Sequence, residues 1–462
     1  MIILPRDRMF LRQSHLTHGG NIPLRNKIQQ QLPIVYPFIA HEHARELRRI
    51  SDILDQIPEA STLVYDDLIS HGPNVSTGRP GLTGGQVLRV FLLKQMNGFS
   101  YEELAFHLAD SRCYRAFCGF GIDEKAPRKS ALQQNIKRIQ PETLEVINRL
   151  VVSEARRLKV ENGRKVRVDC TVVESNIHHP TDSSLLYDCV RVLAREMESG
   201  RHQVGTDFTN HTRRAKRRAL GILNAKRKKK RRELYRDLLL VTRNTLAMAE
   251  NMVFAGCDFV LRARLQHYIR LTKRVVSQTE RRVLLGEVVP ASEKVVSIFE
   301  DHTDIIVKDR RDTYYGHKIC LTTGQSGLFL DCVVEDGNPA DSALACGMID
   351  RQEMIYGRPP RQAAYDGGFA SRENLKNIKA AGVTDVMFCK KRGLEIVDMV
   401  KSAWVYKRLR NFRAGIEGMI SFLKRCFGVG RCTWRGLASF KSYIWGSVVS
   451  ANLLILARHT ME

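Results

Sequence analysis

The sequence has no pattern of paired cysteines. Its eleven Cys are scattered over 462 residues, many of them inside apolar runs, and no C-x2-C spacing occurs. Disulfide frameworks belong mainly to secreted proteins, and structural zinc sites use closely spaced Cys or His. Isolated Cys in apolar runs behave as small buried hydrophobes. We therefore expect reduced, buried thiols in a cytosolic protein.

Nucleotide-binding loops and long apolar runs are also missing. Neither a P-loop nor a G-x-G-x-x-G turn in a strand-to-helix context occurs, which argues against nucleotide hydrolysis. The opening residues, MIILPRDRMFLRQS, have too short an apolar stretch for a signal peptide. The longest late apolar run, roughly Ile444 to Ala457, is shorter than the about 20 residues of a membrane span. We expect this run to form a buried terminal helix.

Acidic residues are outnumbered by basic ones. Lys and Arg together number 74, Asp and Glu number 49, and the formal net charge is +25. A charge of this size predicts polyanionic partners, above all nucleic acid, and says little about fold. The length and the hydrophobic content of 43% are sufficient for two or three domains with real cores.

Residues 1–160 predict an all-helical N-terminal domain. Apolar residues recur at helical spacing between Val87 and Met96, and Ser100 with Glu103 three residues later predicts a capping box. A further helix is predicted from Pro141 to about Lys159. Short helices with exposed cations between them are compatible with a helix-turn-helix DNA reader, and equally with a bundle that has ordinary solvated charges. These cations are Arg112, Arg115, Arg128, Lys129, Lys137 and Arg138.

The run KVRVDCTVVE alternates and predicts a strand with Asp169 in its middle. Because a buried unpaired carboxylate is costly, a functional role is expected for Asp169. Residues 184–297 then form a highly charged helical segment, with thirteen Lys or Arg between Arg213 and Arg236. Since apolar helical segments flank these cations, we predict a basic helical insertion. Phosphate contact is the functional interpretation, and a solvated helix face is the alternative. The central cations of this run are Arg227, Lys228, Lys229 and Lys230.

Strands return after Ile298. The segments HTDIIVKD, GHKICLTTG and GLFLDCVVEDG predict two or three antiparallel strands, with a GQSG turn between the last two. A helix from about Ala340 to Tyr356, led by Asn338 and Pro339 as cap and first position, is expected next. The strand RQAAYD, a helix opening at Ser371, the strand VTDVMFCK and a last helix follow. This order indicates an α/β protein with an RNase H-like core, formed by residues 161–183 and 298–462.

Three acidic residues would meet at one edge of this core. Asp169 lies on the first strand, Asp366 ends a later strand, and Glu417 lies on the last helix. Carboxylates gathered in this way suit Mg2+ or Mn2+, and two such ions about 3.5–4 Å apart can clamp the attacking and leaving oxygens of a phosphodiester. Asp366 before two glycines has an alternative role in shaping a turn. Glu417 has an alternative role in an i,i+4 ion-pair face, because Arg410, Arg413 and Lys424 share its side of the helix.

Two further sets of residues are weaker candidates. His178 and His179 lack the spacing of a zinc site, so a structural or phosphate-contacting role is the better interpretation. Lys318 in the segment YGHK is a candidate phosphate contact or an edge charge on a strand. Asp182 and Ser183 are expected to cap the next helix.

Several segments taken together resemble the DDE transposases of bacterial insertion sequences. These segments are DCTVVESNIHHPTDS, YGHK, AYDGGF and an R-x3-E-x6-K pattern, and they resemble the branch whose glutamate motif is written Y-x2-R-x3-E-x6-K. The stretch GRPGLTGGQVLRVFLLKQMNGFSYEELAFHLADSRCYRAF resembles that group's N-terminal domain. The similarity therefore covers most of the chain from about Gly78 to the end.

The resemblance implies a set of roles. Asp169, Asp366 and Glu417 would be the catalytic, metal-binding residues, and two Mg2+ or Mn2+ ions would be the cofactors. Arg413 and Lys424 would hold the transposon end, while Arg410 stands where the family has Tyr. The activity implied is binding of terminal inverted repeats, cleavage of the 3′ end and strand transfer. The partners implied are double-stranded DNA and further copies of the chain in a synaptic complex, with no membrane and no nucleotide cofactor. A domesticated, cleavage-dead DNA-binding regulator is the alternative.

Overall fold

The structure is a computed structural model that describes residues 39–70, 81–121, 123–205, 207–308, 312–389 and 392–461. It is a mixed α/β protein, with helices before the first strand and a sheet formed by strands between Lys165 and Phe388. The opening segment that argued against a signal peptide lies outside the described residues, as does the GRP of the GRPGLTGG turn.

Helices alone make up the described region before the first strand. Ser100 caps its helix and forms the capping box with Glu103, as the sequence predicted. The helix that begins at Pro141 has Gln140 as its N-cap without a side-chain bond. The bounds are α1 Glu42–Asp55, α2 Glu59–Ile69, α3 Gly84–Asn97, α4 Tyr101–Asp110, α5 Arg112–Phe117, α6 Lys129–Ile136 and α7 Pro141–Arg157.

One cation of this region is not where the sequence placed it. Arg115 was expected to be exposed, but it is buried, and its guanidinium donates to the carbonyl oxygens of Leu108, Gly121 and Glu124. The expectation was wrong because Arg115 satisfies the backbone of a tight loop whose carbonyls have no helical partners. Arg112, Arg128 and Lys137 are exposed.

A six-stranded sheet follows the helical region. Its continuous path is β2, β3, β1, β5, β6, and β4 pairs with β3 beside β2. β3 runs antiparallel to β1, whereas β5 and β6 run parallel to it. β2 pairs with the first half of β3 and β4 with the second half, which confirms the antiparallel strands predicted after Ile298. The bounds are β1 Lys165–Glu174, β2 Asp304–Lys308, β3 Asp312–Thr323, β4 Phe329–Val334, β5 Gln362–Tyr365 and β6 Asp385–Phe388.

The insertion between β1 and β2 consists mainly of four helices: α8 Asp182–Val204, α9 Thr212–Asn224, α10 Lys228–Phe254 and α11 Phe259–Thr279. They enclose two hydrophobic clusters of their own, separate from the main core. Arg282 pairs with Asp182 at 3.1 Å, so the two ends of the insertion meet. Thr181, not Asp182 or Ser183, caps α8, because its hydroxyl accepts from the backbone N–H of Ser184. The cap expected at Asp182 and Ser183 was therefore wrong by one or two residues.

Five helices complete the second half: α12 Asp341–Tyr356, α13 Arg372–Ala380, α14 Ile396–Met399, α15 Ala403–Cys426 and α16 Leu437–Met461. The helix predicted to open at Ser371 is confirmed, and Ser371 is the N-cap of α13. The cap predicted for α12 was wrong: its N-cap is Ala340, without a side-chain bond, and the carbonyl oxygen of Pro339 accepts from Lys318 instead. Helix α15 lies against β1, β5 and β6.

The last helix, α16, belongs to the main hydrophobic core. It is long and apolar enough to cross a membrane, but 83% of its most apolar window is buried inside the protein. It packs on α7, α1 and α3, and the Asn452 amide joins Asn148 of α7 to the backbone of Phe329 in β4. The core is therefore continuous from the N-terminal helices to the sheet. The buried terminal helix is confirmed and is longer than the apolar run alone indicated.

Candidate active site

Two of the predicted acidic residues lie side by side on neighbouring strands. β1 and β5 are parallel, and Val168 pairs with Tyr365. Asp169 and Asp366 each follow these partners, so both lie at the same level on strands about 4.8 Å apart. Asp366 is the first residue after β5 and the N-cap of a short 3-10 turn, Gly367–Phe369. The carboxyl end of a parallel strand is where open α/β sheets usually present functional groups.

The third acidic residue reaches the same place from helix α15 through a shared arginine. The Nη2 atom of Arg413 lies 3.0 Å from Asp169 Oδ2 and 3.5 Å from Asp366 Oδ1. Its Nη1 atom lies 2.8 Å from Glu417 Oε1, one helical turn further on. The structure thus brings all three predicted acidic residues together around one guanidinium.

The exposure of the three acidic side chains increases from Asp169 to Glu417. The side chain of Asp169 is 16% exposed, that of Asp366 is 43% exposed and that of Glu417 is 66% exposed. Burial alone would disfavour the charge of Arg413, but the carboxylates of Asp169, Asp366 and Glu417 outweigh it and raise the pKa of Arg413. The Nε atom of Arg413 is buried without a hydrogen-bond partner among the described residues. The guanidinium is therefore held mainly by its charge partners.

The chemistry of the three acidic side chains fits a hard divalent cation, because all three groups are carboxylates. Within the described part of the chain, however, no three His, Cys, Asp or Glu side chains are arranged to hold a metal ion as they stand. The guanidinium of Arg413 lies between the three carboxylates, in the position that a metal ion would need. A metal ion at this position would compete with Arg413 for the same carboxylates.

Arg167, which the sequence analysis did not single out, fixes α15 on the sheet. Its Nη1 atom donates to the carbonyl oxygen of Phe412 at 2.7 Å, and its Nε atom donates to Thr323 Oγ1 at 2.8 Å. The centroid of the Phe412 ring lies 4.2 Å from Lys165 Nζ and 4.7 Å from Arg167 Cζ, so both cations contact this ring. A Cβ atom at Gly415 would lie 2.1 Å from Arg167 Nη1, so a larger residue there would force the guanidinium or the helix to shift.

A sequence signal for this contact existed. Lys165 and Arg167 lie on the same face of β1 as Asp169, because side chains alternate along a strand. A glycine inside a long helix at position 415 costs helix stability and so indicates a close approach. Burial lowers the pKa of Arg167, as expected for a cation under a helix.

Lys318 supports the loop after β5. Its Nζ atom donates to the carbonyl oxygen of Pro339 at 2.6 Å and lies 2.9 Å from Asp341 Oδ1. Asp341 in turn lies against Gly368, where a Cβ atom would be 2.7 Å from Asp341 Oδ2. The Lys318 side chain is mostly buried in these contacts. This geometry gives Lys318 a structural role and does not support the predicted phosphate contact.

The remaining residues of the glutamate motif lie along α15. Arg410 is exposed, and Lys424 is half-buried. A tyrosine one turn earlier, Tyr406, donates its hydroxyl to the carbonyl oxygen of Phe388, and burial raises the pKa of Tyr406. The Tyr406 hydroxyl is therefore already bonded at the end of β6, so Tyr406 does not substitute for the family tyrosine whose position Arg410 occupies.

The histidine pair does not join the carboxylates. His178 is exposed and lies 3.6 Å from Asp188 Oδ2, and His179 packs edge-on against Tyr315. Neither contact distinguishes the structural role from the phosphate-contacting role that the sequence left open.

The basic run of the insertion lies at its base, next to the core. Arg227 is the N-cap of α10, and Lys228, Lys229 and Lys230 form its first turn, all of them exposed. One turn on, Arg232 donates to the carbonyl oxygen of Leu284. Because Arg282 beside it pairs with Asp182, this start of α10 lies where the insertion leaves the core. Four cations at a helix N-terminus oppose the helix dipole and so favour an anionic partner.

Two transposase family models match the chain. A family model described as "Transposase domain (DUF772)" matches residues 35–138, and one described as "Transposase DDE domain" matches residues 299–453. The second match includes Asp366 and Glu417, while Asp169 and the insertion precede it. The chain is 29% identical over 154 residues to "Uncharacterized protein ORF8 in nfe locus" of Rhizobium meliloti, which covers 32% of this chain and 74% of that protein. No solved structure matches the chain.

Two transposase family models, one on the helical region and one on the sheet, define the class of protein as a transposase. The chain belongs to the DDE transposases of insertion sequences, and its substrate is DNA.

Proposed function

We propose that the chain binds the terminal inverted repeats of its own insertion sequence, cleaves the 3′ ends and transfers them to target DNA in a metal-dependent reaction. The convergence of Asp169, Asp366 and Glu417 on one guanidinium is the observation that carries this proposal. It supports a common cation site built from all three acidic residues.

We further propose that the sheet is an RNase H-like core. The support is its topology: β4 and β3 lie antiparallel on one side of β1, with parallel β5 and β6 on the other. Residues 161–183 and 298–462 form this core, residues 184–297 form the basic helical insertion, and residues 1–160 form the N-terminal DNA-binding domain.

Asp169, Asp366 and Glu417 are the residues that would hold Mg2+ or Mn2+, as two ions. Such ions neutralise the phosphoryl oxygens, activate the attacking oxygen and stabilise the leaving oxygen. The chain's own contribution is position: the sheet fixes the two aspartates, and Arg167 fixes the helix that carries Glu417. Preorganised groups of this kind supply their effect without reorganisation during the reaction.

The same helix also presents cations to the DNA. Arg410, Arg413 and Lys424 lie on the side of α15 that carries Glu417, and Arg fits phosphate with two parallel hydrogen bonds. The exposed cations at the start of α10, Arg227 to Lys230, add phosphate contacts beside the core. Synapsis of two ends favours a homo-oligomer, and the reaction needs no nucleotide because one phosphodiester is exchanged for another.

Isosteric amides test the metal site. Asp169→Asn and Asp366→Asn should lower strand cleavage of a labelled duplex carrying the element's ends by about three orders of magnitude, because metal stabilisation supplies several kcal/mol. Binding of the uncleaved duplex, measured by gel shift, should remain. Glu373→Gln, an exposed carboxylate on α13, is the matched control.

Undiminished cleavage by either aspartate variant contradicts the assignment. Absence of cleavage in the unaltered protein, with binding intact, favours the cleavage-dead regulator. The complete acidic set at the site argues against that alternative.

A further inference from the structure

We propose that Arg413 is a resident counter-cation of the three carboxylates, and that metal and DNA displace it together, so that their binding is mutually strengthening. This inference rests on the proposed metal site of Asp169, Asp366 and Glu417.

The ion pairs of Arg413 explain how three acidic side chains remain close in the free protein. Like charges at one site repel, and repulsion between partly buried groups is weakly screened by salt. The guanidinium offsets this repulsion with contacts of 2.8 to 3.5 Å to all three carboxylates. Its own side chain is only 14% exposed, so water does not replace these partners.

A metal needs atoms that Arg413 already holds. Asp169 Oδ1 accepts from the backbone N–H of Cys170 at 2.8 Å, and Asp169 Oδ2 accepts from Arg413 at 3.0 Å. Both oxygens of the most buried ligand are therefore engaged. A cation that approaches Asp169 competes with Arg413 for Oδ2, and at Asp366 it meets the charge of the same guanidinium, 3.5 Å from Oδ1.

A DNA phosphate offers Arg413 an alternative partner to the carboxylates. Its Nε atom is buried without a hydrogen-bond partner among the described residues, so a phosphate would satisfy a donor that the carboxylates leave unused. The helix surface beside it has no large side chains, because Ala414 and Gly418 are exposed there. A Cβ atom at Gly418 would meet no described heavy atom within 4 Å. A DNA backbone can therefore approach α15 closely, and phosphate is a bidentate partner for arginine.

Coupling follows from this exchange. When a phosphate binds the guanidinium, the carboxylates lose their counter-cation and their affinity for a divalent metal rises. By linkage the metal strengthens DNA binding by the same factor. The metal site then becomes strong only on DNA, which restricts cleavage chemistry to protein that has already engaged its substrate.

Titration with Mn2+ tests the coupling, because the EPR signal of free Mn2+ reports binding without any turnover. The unaltered protein is titrated alone and with a duplex carrying the DNA that flanks the gene. Asp169→Asn defines which binding belongs to the carboxylates, since it also shows how much Mn2+ the duplex itself takes up. Arg413→Gln removes the charge, and Arg408→Gln, whose guanidinium stacks on exposed Trp404, is the matched control on the same helix.

We expect the duplex to tighten Mn2+ binding by about 5- to 150-fold in the unaltered protein and in Arg408→Gln. Arg413→Gln should bind Mn2+ more tightly than the unaltered protein without DNA, and the duplex should add little. Its thermal unfolding temperature should be lower without metal and should recover as Mn2+ is added, because the carboxylates have lost their counter-cation.

Two results overturn the inference alone. One is an Mn2+ site, sensitive to Asp169→Asn, whose affinity in the unaltered protein is the same with and without DNA. The other is an equal or weaker affinity in free Arg413→Gln, which would make the arginine an organiser of the ligands and not their competitor. If Asp169→Asn changes no Mn2+ binding at all, the proposed metal site itself fails.

Discussion

Replacing Gly415 with Ala tests whether Arg167 sets the position of the helix that carries Glu417. A Cβ atom there would lie 2.1 Å from Arg167 Nη1 and 3.1 Å from its Cζ, so the guanidinium or the helix must shift. The hydrogen bond from Arg167 to the Phe412 carbonyl is then lost, and such a bond to a charged group contributes about 1.5–3 kcal/mol. Ala is better than Gly inside a helix by about 1 kcal/mol.

The expected net effect is a loss of about 0.5–2 kcal/mol in the free energy of unfolding, obtained by subtracting the helix gain from the lost bond. Gly418→Ala is the matched control three residues along the same helix, where the new Cβ meets no described atom within 4 Å. It should gain up to about 1 kcal/mol. Urea unfolding followed by circular dichroism measures both variants.

A double-mutant cycle separates the clash from other effects of the new methyl group. In an Arg167→Met background the obstacle is gone, so Gly415→Ala should stabilise as Gly418→Ala does. If Gly415→Ala is as stable as Gly418→Ala when Arg167 is present, the contact does not fix the helix and the reasoning is refuted.

Two further predictions concern charge and ionisation. Changing Lys228, Lys229 and Lys230 together to Gln should reduce the log-log slope of DNA binding against salt by about 2.7, since each phosphate contact contributes about 0.9. The control changes three exposed cations of α11, Arg262, Arg270 and Lys273, in the same way. An equal reduction of the slope in the control would argue against specific contact. Burial raises the pKa of Tyr101 and of Tyr443 to about 12. Since the unfolded chain ionises these phenols near pH 10, this stabilising contribution is complete below about pH 10 and is lost as pH rises towards 12. Absorbance titration at high pH should show late-ionising phenols, fewer in Tyr443→Phe, and a normal titration in the folded protein would contradict the burial argument.

Local pattern was sufficient to predict most of the elements near the site. Alternation in KVRVDCTVVE predicted β1, which the structure confirms. Helical periodicity placed Arg413 and Glu417 on one face of α15, and their side chains pair at one helical turn. These inferences succeeded because each depends on residues close in sequence.

The side-chain contacts that the sequence did not predict join residues far apart in the chain. The guanidinium that joins Asp169 to Glu417 spans strand and helix, and its position follows from the pairing of Val168 with Tyr365 and from the way α15 crosses the sheet. The contact of Arg167 with Phe412 joins residues 245 positions apart. Lys318 looked like a surface charge because the helix end that covers it, at Asp341, comes later in the chain.

The ion pair between Asp182 and Arg282 closes the base of the insertion at 3.1 Å. A segment of about a hundred residues therefore leaves and re-enters the sheet region through neighbouring points, and its four helices bury their apolar faces in clusters of their own. The fold can accept or lose such a segment between its first two strands at little cost to the rest, since a long excursion adds little closure entropy when its ends are already adjacent. The insertion is thus a separate helical module, which can change in length or sequence while the sheet that carries Asp169 and Asp366 keeps its register.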